Sequence, residues 1–123
     1  MKSFERSNRI RQQLWRYIAD VLRRNVKGYD LSAVTVTDVG LSRDYKYATV
    51  YYTILGDETV RARTAEILDR VRLVVQAEAG GQLGIRVVPK LQFEFDNSVE
   101  RGMRLGDLFS QIESERKDGS TDN

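Results

Sequence analysis

Arg9, Arg16 and Arg23 recur at intervals of seven residues near the start of the chain. On a helix that interval is close to two turns, so the three guanidinium groups point roughly the same way. A guanidinium stays charged and offers a planar fork of donors that matches phosphate oxygens. Such a row suits a polyanion, and Arg6, Arg24 and Lys27 extend it along the same segment. Residues 1–27 carry eight basic and two acidic side chains, residues 28–95 eight and nine, and residues 96–123 four and seven. The net charge of +2 therefore hides a concentrated positive opening segment. A merely solvated helix face is the competing reading of that charge.

Other cations stand at defined places. Arg43 and Lys46 add positive charge after the first strand, opposed by Asp44. Arg61 and Arg72 flank the apolar stripe of a second helix, and Arg86 and Lys90 bracket the last strand. Tyr47 and Tyr51 share one strand face, where aromatic rings stack on bases or pack against Thr35 and Thr37. Catalytic chemistry is poorly supplied. The chain has no His and no Cys, which removes the commonest general base, thiol nucleophiles, disulfides and thiol metal sites. Asp38, Asp44, Asp57, Glu58 and Asp96 fall at strand ends and turns, where carboxylates usually cap or solvate. No Gly-rich loop with Lys-Ser/Thr is present. No enzyme activity, metal or cofactor is expected.

The elements that hold these residues follow from periodicity. Ser7 or Asn8 is placed to cap a first helix, with Ile10, Leu14, Tyr17, Ile18 and Val21 as its apolar stripe. Trp15 lies at the edge of that stripe, Arg11 at its margin, and Gly28 is the expected stop. Leu31 to Val39 reads as a half-buried strand with Val34 and Val36 on one face. A second strand runs from about Tyr45 to Leu55, with Ala48, Val50, Tyr52 and Ile54 inward. The short connection makes the two an antiparallel pair. Asp57 caps a second helix from Glu58 to Ala79, buried along Val60, Ile67, Leu68, Val71, Val74 and Val75. Glu66 and Arg70 are spaced to pair across one turn, and Gly80-Gly81 ends the helix. Ile85 to Val88 is expected to be extended ahead of Pro89, followed by a strand with Leu91, Phe93 and Phe95 inward. Asp96-Asn97-Ser98 is a turn, and a short helix is expected over Leu105 to Glu115.

The whole is an α+β plan: helix, strand, strand, helix, strand and a short C-terminal helix around a small mixed sheet. Its 123 residues suit one domain, expected over 1–115, with a polar and disordered tail over 116–123. No apolar run approaches the roughly 20 residues that a membrane span needs, and the opening residues lack an apolar signal core.

Several stretches, in order and in register, resemble the ribosome-binding factor A family. They are Phe4-x-Arg6-Ser7-x-Arg9-Ile10, then Val34-Thr35-Val36-Thr37-Asp38-Val39 with Ser42-Arg43-Asp44 and Tyr47-Ala48-x-Val50-Tyr51. Arg86-x-Val88-Pro89-x-Leu91-x-Phe93 and Asp96-Asn97-Ser98-x-Glu100-Arg101-Gly102 complete the set. The resemblance implies a single KH-like domain of the second topological type, without catalytic activity. It implies a monomer in the cytoplasm that associates with the immature 30S subunit, assists late 16S rRNA processing and cold adaptation, and shares its particle with assembly GTPases. On that basis the RNA contacts are assigned to Arg6, Arg9, Arg16, Arg23, Arg24, Lys27, Arg43, Lys46, Arg72 and Arg86. One departure stands out. The family's Ala-x-Gly, which marks a kink in the second helix, falls at Val71-Arg72-Leu73 here, and no Gly stands there. The short patterns Ala79-x-Gly81 and Gly81-x-x-Gly84 occur nearer the helix end. A straight second helix, or one kinked for another reason, is left open. So is a different route to the ribosome, through protein contacts made by the acidic C-terminal segment.

Overall fold

The computed structural model describes residues 2–98, with side chains from Phe4 onward. Helix α1 spans Lys2–Arg23, strands β1 and β2 span Thr35–Leu41 and Tyr47–Thr53, helix α2 spans Glu58–Gly81, and strand β3 spans Lys90–Phe95. The sheet order is β1-β2-β3, with β1 antiparallel and β3 parallel to β2. The mixed sheet and element order match the expectation. The expected helix over Leu105 to Glu115 and the tail lie outside the described residues.

Helix α1 starts earlier than its expected caps. Asn8 Oδ1 accepts from Arg11 Nη2 at 2.8 Å, so this side chain serves a helix already under way. The helix also ends earlier, at Arg23. Gly28 is used one turn later, in the two-residue loop Lys27-Gly28, where both φ angles are positive (50° and 82°). Val26 and Tyr29 exchange both backbone hydrogen bonds across it, at 3.0 and 2.9 Å. Positive φ at both central residues is the signature of a tight type I′ turn. Leu31 and Val34 then reach the core from a turn (Val34 N–H to Leu31 C=O, 3.0 Å), so the first strand starts at Thr35 rather than Leu31.

The core lies between the helices and one sheet face. Leu14, Ile18, Val21 and Leu22 of α1 meet Val36, Val39, Ala48, Val50 and Tyr52 of the sheet and Leu68, Val71, Val75 and Ala79 of α2. Helix α1 packs over β1, α2 over β3, and the two helices pack on each other. On the other sheet face, no side chain among Thr35, Thr37, Tyr47, Thr49, Tyr51, Thr53, Gln92 and Glu94 is buried. Asp57 caps α2 as expected, its Oδ1 accepting from Val60 N–H at 3.0 Å. Val60, expected in the buried stripe, is exposed because it stands in the first turn, against Gly56. Thr64 takes the buried position one turn later, its hydroxyl donating to the Val60 carbonyl at 2.7 Å. Glu66 and Arg70 pair at 2.8 Å.

Helix α2 runs as one helix through Val71–Leu73. Gly80 lies inside it, and a Cβ there would run into Val88 Cγ1. The missing side chain lets the returning loop cross close to the helix. That loop, Ile85 to Val88, is irregular rather than extended, bending at Arg86 and Val87, and pairing with β2 begins at Lys90 after the buried Pro89. Helix side chains finish both sheet margins. Trp15 Nε1–H donates to the Val36 carbonyl at 3.2 Å, beside a bulge between Val36 and Asp38. Gln76 Oε1 accepts from Leu91 N–H at 3.0 Å. Such bonds satisfy edge groups that would otherwise invite another strand.

Candidate nucleic-acid interface

The buried stripe of α1 fixes what its other faces present. With Ile10, Leu14, Ile18 and Val21 inward, Arg9, Arg16 and Arg23 project into solvent, all exposed. Among the described residues no carboxylate pairs with Arg9 or Arg16, whereas Arg23 lies 3.4 Å from Asp20 on the same exposed surface. Arg24 Nε–H makes a long bond, 3.5 Å, to the Asp20 carbonyl, and Lys27 sits on the adjacent turn. These three cations cluster at the C-terminal end of α1. Arg11 belongs elsewhere: it bridges to Asp38 on β1 at 3.1 Å and so ties helix to sheet.

Arg6 stands about 25 Å from Arg23 by helical rise. It reaches a second group of cations. Its guanidinium lies over the ring of Tyr45, 5.8 Å from the centroid, at the tip of the β1–β2 hairpin that carries Arg43 and Lys46. The Lys46 carbonyl accepts from Lys90 N–H at 2.8 Å, and Tyr47 is paired with Lys90 across the sheet. Tyr47 and Lys90 in turn border an open groove of about 540 Å³ between α2 and strands β2–β3, where Arg72, Asp69 and Phe93 also face. Lys90 and Arg72 thus share one groove, with the Lys46 backbone next to it, although Asp69 at 3.9 Å partly offsets Arg72. Phosphate oxygens suit the two cations, and the rings of Tyr47 and Phe93 line the same groove.

The ten cations assigned from sequence therefore divide. Arg9 and Arg16 form the middle of the α1 face. Arg23, Arg24 and Lys27 mark one end, and Arg6, Arg43 and Lys46 gather at the other. Arg72 lies in the groove. Arg86 is exposed on the α2–β3 loop. Sequence reasoning set Lys90 aside, though the groove places it beside Arg72, and it missed Tyr45. The only sequence signal for Tyr45 was its place next to Ser42-Arg43-Asp44. Among the described residues, no group of three or more acidic side chains is placed to hold a metal ion. No helix among them is long and apolar enough to cross a membrane.

Residues 6–109 match the family model described as Ribosome-binding factor A. The chain belongs to the ribosome-binding factor A family. Curated relatives carry the same name. One from Neisseria gonorrhoeae strain FA 1090 is 33% identical over 115 residues, covering 94% of this chain and 93% of its own. One from Chromobacterium violaceum is 39% identical over 114 residues, covering 93% and 82%. The crystal structure of ribosome-binding factor A from Thermus thermophilus superposes with a TM-score of 0.59 at 22% identity, over 72% of this chain and 93% of that one. A second Thermus thermophilus model, fitted into a cryo-electron-microscopy map of a 30S–factor complex, gives 0.57 at 22% identity over the same shares. The fold is thus KH-like, as the resemblance implied. In this member of the ribosome-binding factor A family the second helix passes the Ala-x-Gly position as one helix.

Proposed function

We propose that this protein binds the immature 30S subunit through its rRNA and assists late maturation of 16S rRNA, without catalysing a reaction. The observation that carries the reading is the exposed row of Arg9, Arg16 and Arg23, turned away from the core in a chain of this family. Arg9 and Arg16 face water without a carboxylate partner among the described residues, Arg23 shares its charge with Asp20 at 3.4 Å, and such an exposed row can neutralise phosphates, releasing the counterions they hold. A Thermus relative fitted into a 30S complex map supports the same partner. The protein would act as a cytoplasmic monomer, docking by shape and charge, with an assembly GTPase as the class of factor that displaces it.

Crosslinking in cells followed by mapping of the bound RNA tests this directly. Enrichment of 16S rRNA with unprocessed ends is the expected result. Crosslinks confined to ribosomal proteins would instead indicate docking through protein contacts and would refute the rRNA reading.

A further inference from the structure

We propose that the tip of the β1–β2 hairpin is a seat for one unpaired nucleotide, its base stacked on the Arg6–Tyr45 pair and its phosphate held by Arg43 and Lys46. The proposal rests on the RNA-binding reading above and deepens it, since it assigns a base contact where that reading needs only charge.

Tyr45 has a φ of +61°, a left-handed conformation that costs energy for any side chain with a Cβ and is ordinarily left to Gly or Asn. The surrounding turn holds it there. Tyr45 N–H donates to the Ser42 carbonyl at 3.0 Å, and Ser42 N–H to the Tyr47 carbonyl at 2.9 Å. The Ser42 hydroxyl donates to Asp44 Oδ1 at 2.7 Å and accepts from Tyr47 N–H at 3.0 Å. Asp44 Oδ1 also accepts from Lys46 N–H at 3.1 Å. The Ser42 hydroxyl and this backbone donor hold the Asp44 carboxyl below its ordinary value. One carboxylate oxygen is thus occupied by the turn itself, while Arg43, Lys46 and Arg6 all remain exposed.

A strained aromatic fixed this firmly suggests a use. Tyr45 is half-buried with the Arg6 guanidinium 5.8 Å from its ring centroid, and Arg6, an exposed residue, carries a planar group with a flat face. A nucleobase stacks on such a face, and two flanking cations suit the attached phosphate. An acidic peptide would use the cations and leave the stack idle. A base inside a duplex is already stacked on its neighbours, so the occupant is single-stranded or bulged.

The test uses the full chain and a short single-stranded RNA carrying 2-aminopurine, beside a hairpin of the same sequence. Wild-type protein should quench the fluorophore in the single strand and prefer it to the duplex. Tyr45→Phe should behave like wild type. Tyr45→Leu should lose the quench and weaken single-strand binding by about fivefold or more, with its salt dependence unchanged. Arg6→Lys, which keeps the charge but not the plane, should lose the quench while its salt dependence persists. This second variant leaves the Tyr45 backbone untouched if Tyr45→Leu folds poorly. Single-strand affinity within twofold of wild type in both variants would overturn the seat. If an Arg9, Arg16 and Arg23 triple variant then still loses salt dependence, the RNA reading stands without the seat. If wild-type protein binds neither RNA, both fall.

Discussion

Gly80 and Gly81 adjoin at the end of α2, yet alanine should act on them in opposite directions. Inside a helix, Gly→Ala ordinarily stabilises by about 1 kcal/mol, because the glycine chain has more freedom to lose. At Gly80 the new Cβ would collide with Val88 Cγ1 and crowd the rest of that side chain, 3.3 Å from its Cβ and 3.4 Å from its Cγ2. Such a collision must push the loop off the helix, and overpacking costs about 1–3 kcal/mol. Taking the upper part of that range and subtracting the helix gain leaves a net loss of about 2 kcal/mol for Gly80→Ala. At Gly81 nothing lies within 4 Å of the same Cβ. Gly81→Ala should therefore stabilise by about 0.5–1 kcal/mol. Urea titration distinguishes the two, with midpoints moving apart by about 1 M or more at a typical slope for this size. Val88→Ala removes the methyl that Gly80→Ala strikes, so the double variant should lose less than the sum of its parts. Equal midpoint shifts for Gly80→Ala and Gly81→Ala would show that the loop does not rest on the helix as described.

Other consequences follow from the same geometry. Converting Arg9, Arg16 and Arg23 together to Ala should lower the slope of log affinity against log salt by about 2, at roughly 0.7–0.9 per phosphate contact, while leaving the melting temperature close to wild type. An unchanged slope would remove the α1 face from the interface. Trp15→Phe deletes the 3.2 Å bond to the Val36 carbonyl. It should cost about 1 kcal/mol and speed amide exchange in β1 more than in β3. The depressed Asp44 carboxyl contributes to the hairpin tip above the ordinary aspartate range, and that contribution fades as pH falls through its lowered value. The Lys46 amide resonance should therefore titrate with a midpoint below the ordinary aspartate value.

The elements legible in the sequence were those written in local periodicity or capping chemistry. The α1 stripe, the Asp57 cap, the Glu66–Arg70 pair and the alternation of Leu91, Phe93 and Phe95 each need only residues a few positions apart. What stayed hidden depends on partners far along the chain. Gly28 looks like a helix stop in isolation, but its role in a tight turn is set by the bridge between Val26 and Tyr29. Trp15 reads as rim packing until β1, 21 residues away, supplies a carbonyl for its indole. Ile85 to Val88 reads as extended ahead of Pro89 but bends at Arg86 and Val87, bringing Val88 against Gly80. The interface was legible as a list of cations and not as a shape. Seven-residue spacing aligned Arg9, Arg16 and Arg23, whereas Lys90 meets Lys46 only because β3 pairs parallel with β2. Tyr45 was invisible because a left-handed tyrosine follows from the Ser42 and Asp44 hydrogen bonds, not from its own preference.

The most direct measurement is sedimentation of the purified protein with immature small subunits across a series of salt concentrations. Cosedimentation in dilute salt that declines steeply as salt rises, and declines less steeply for the Arg9, Arg16 and Arg23 triple variant, is the predicted outcome. Protein that stays at the top of the gradient even in dilute salt would contradict the account.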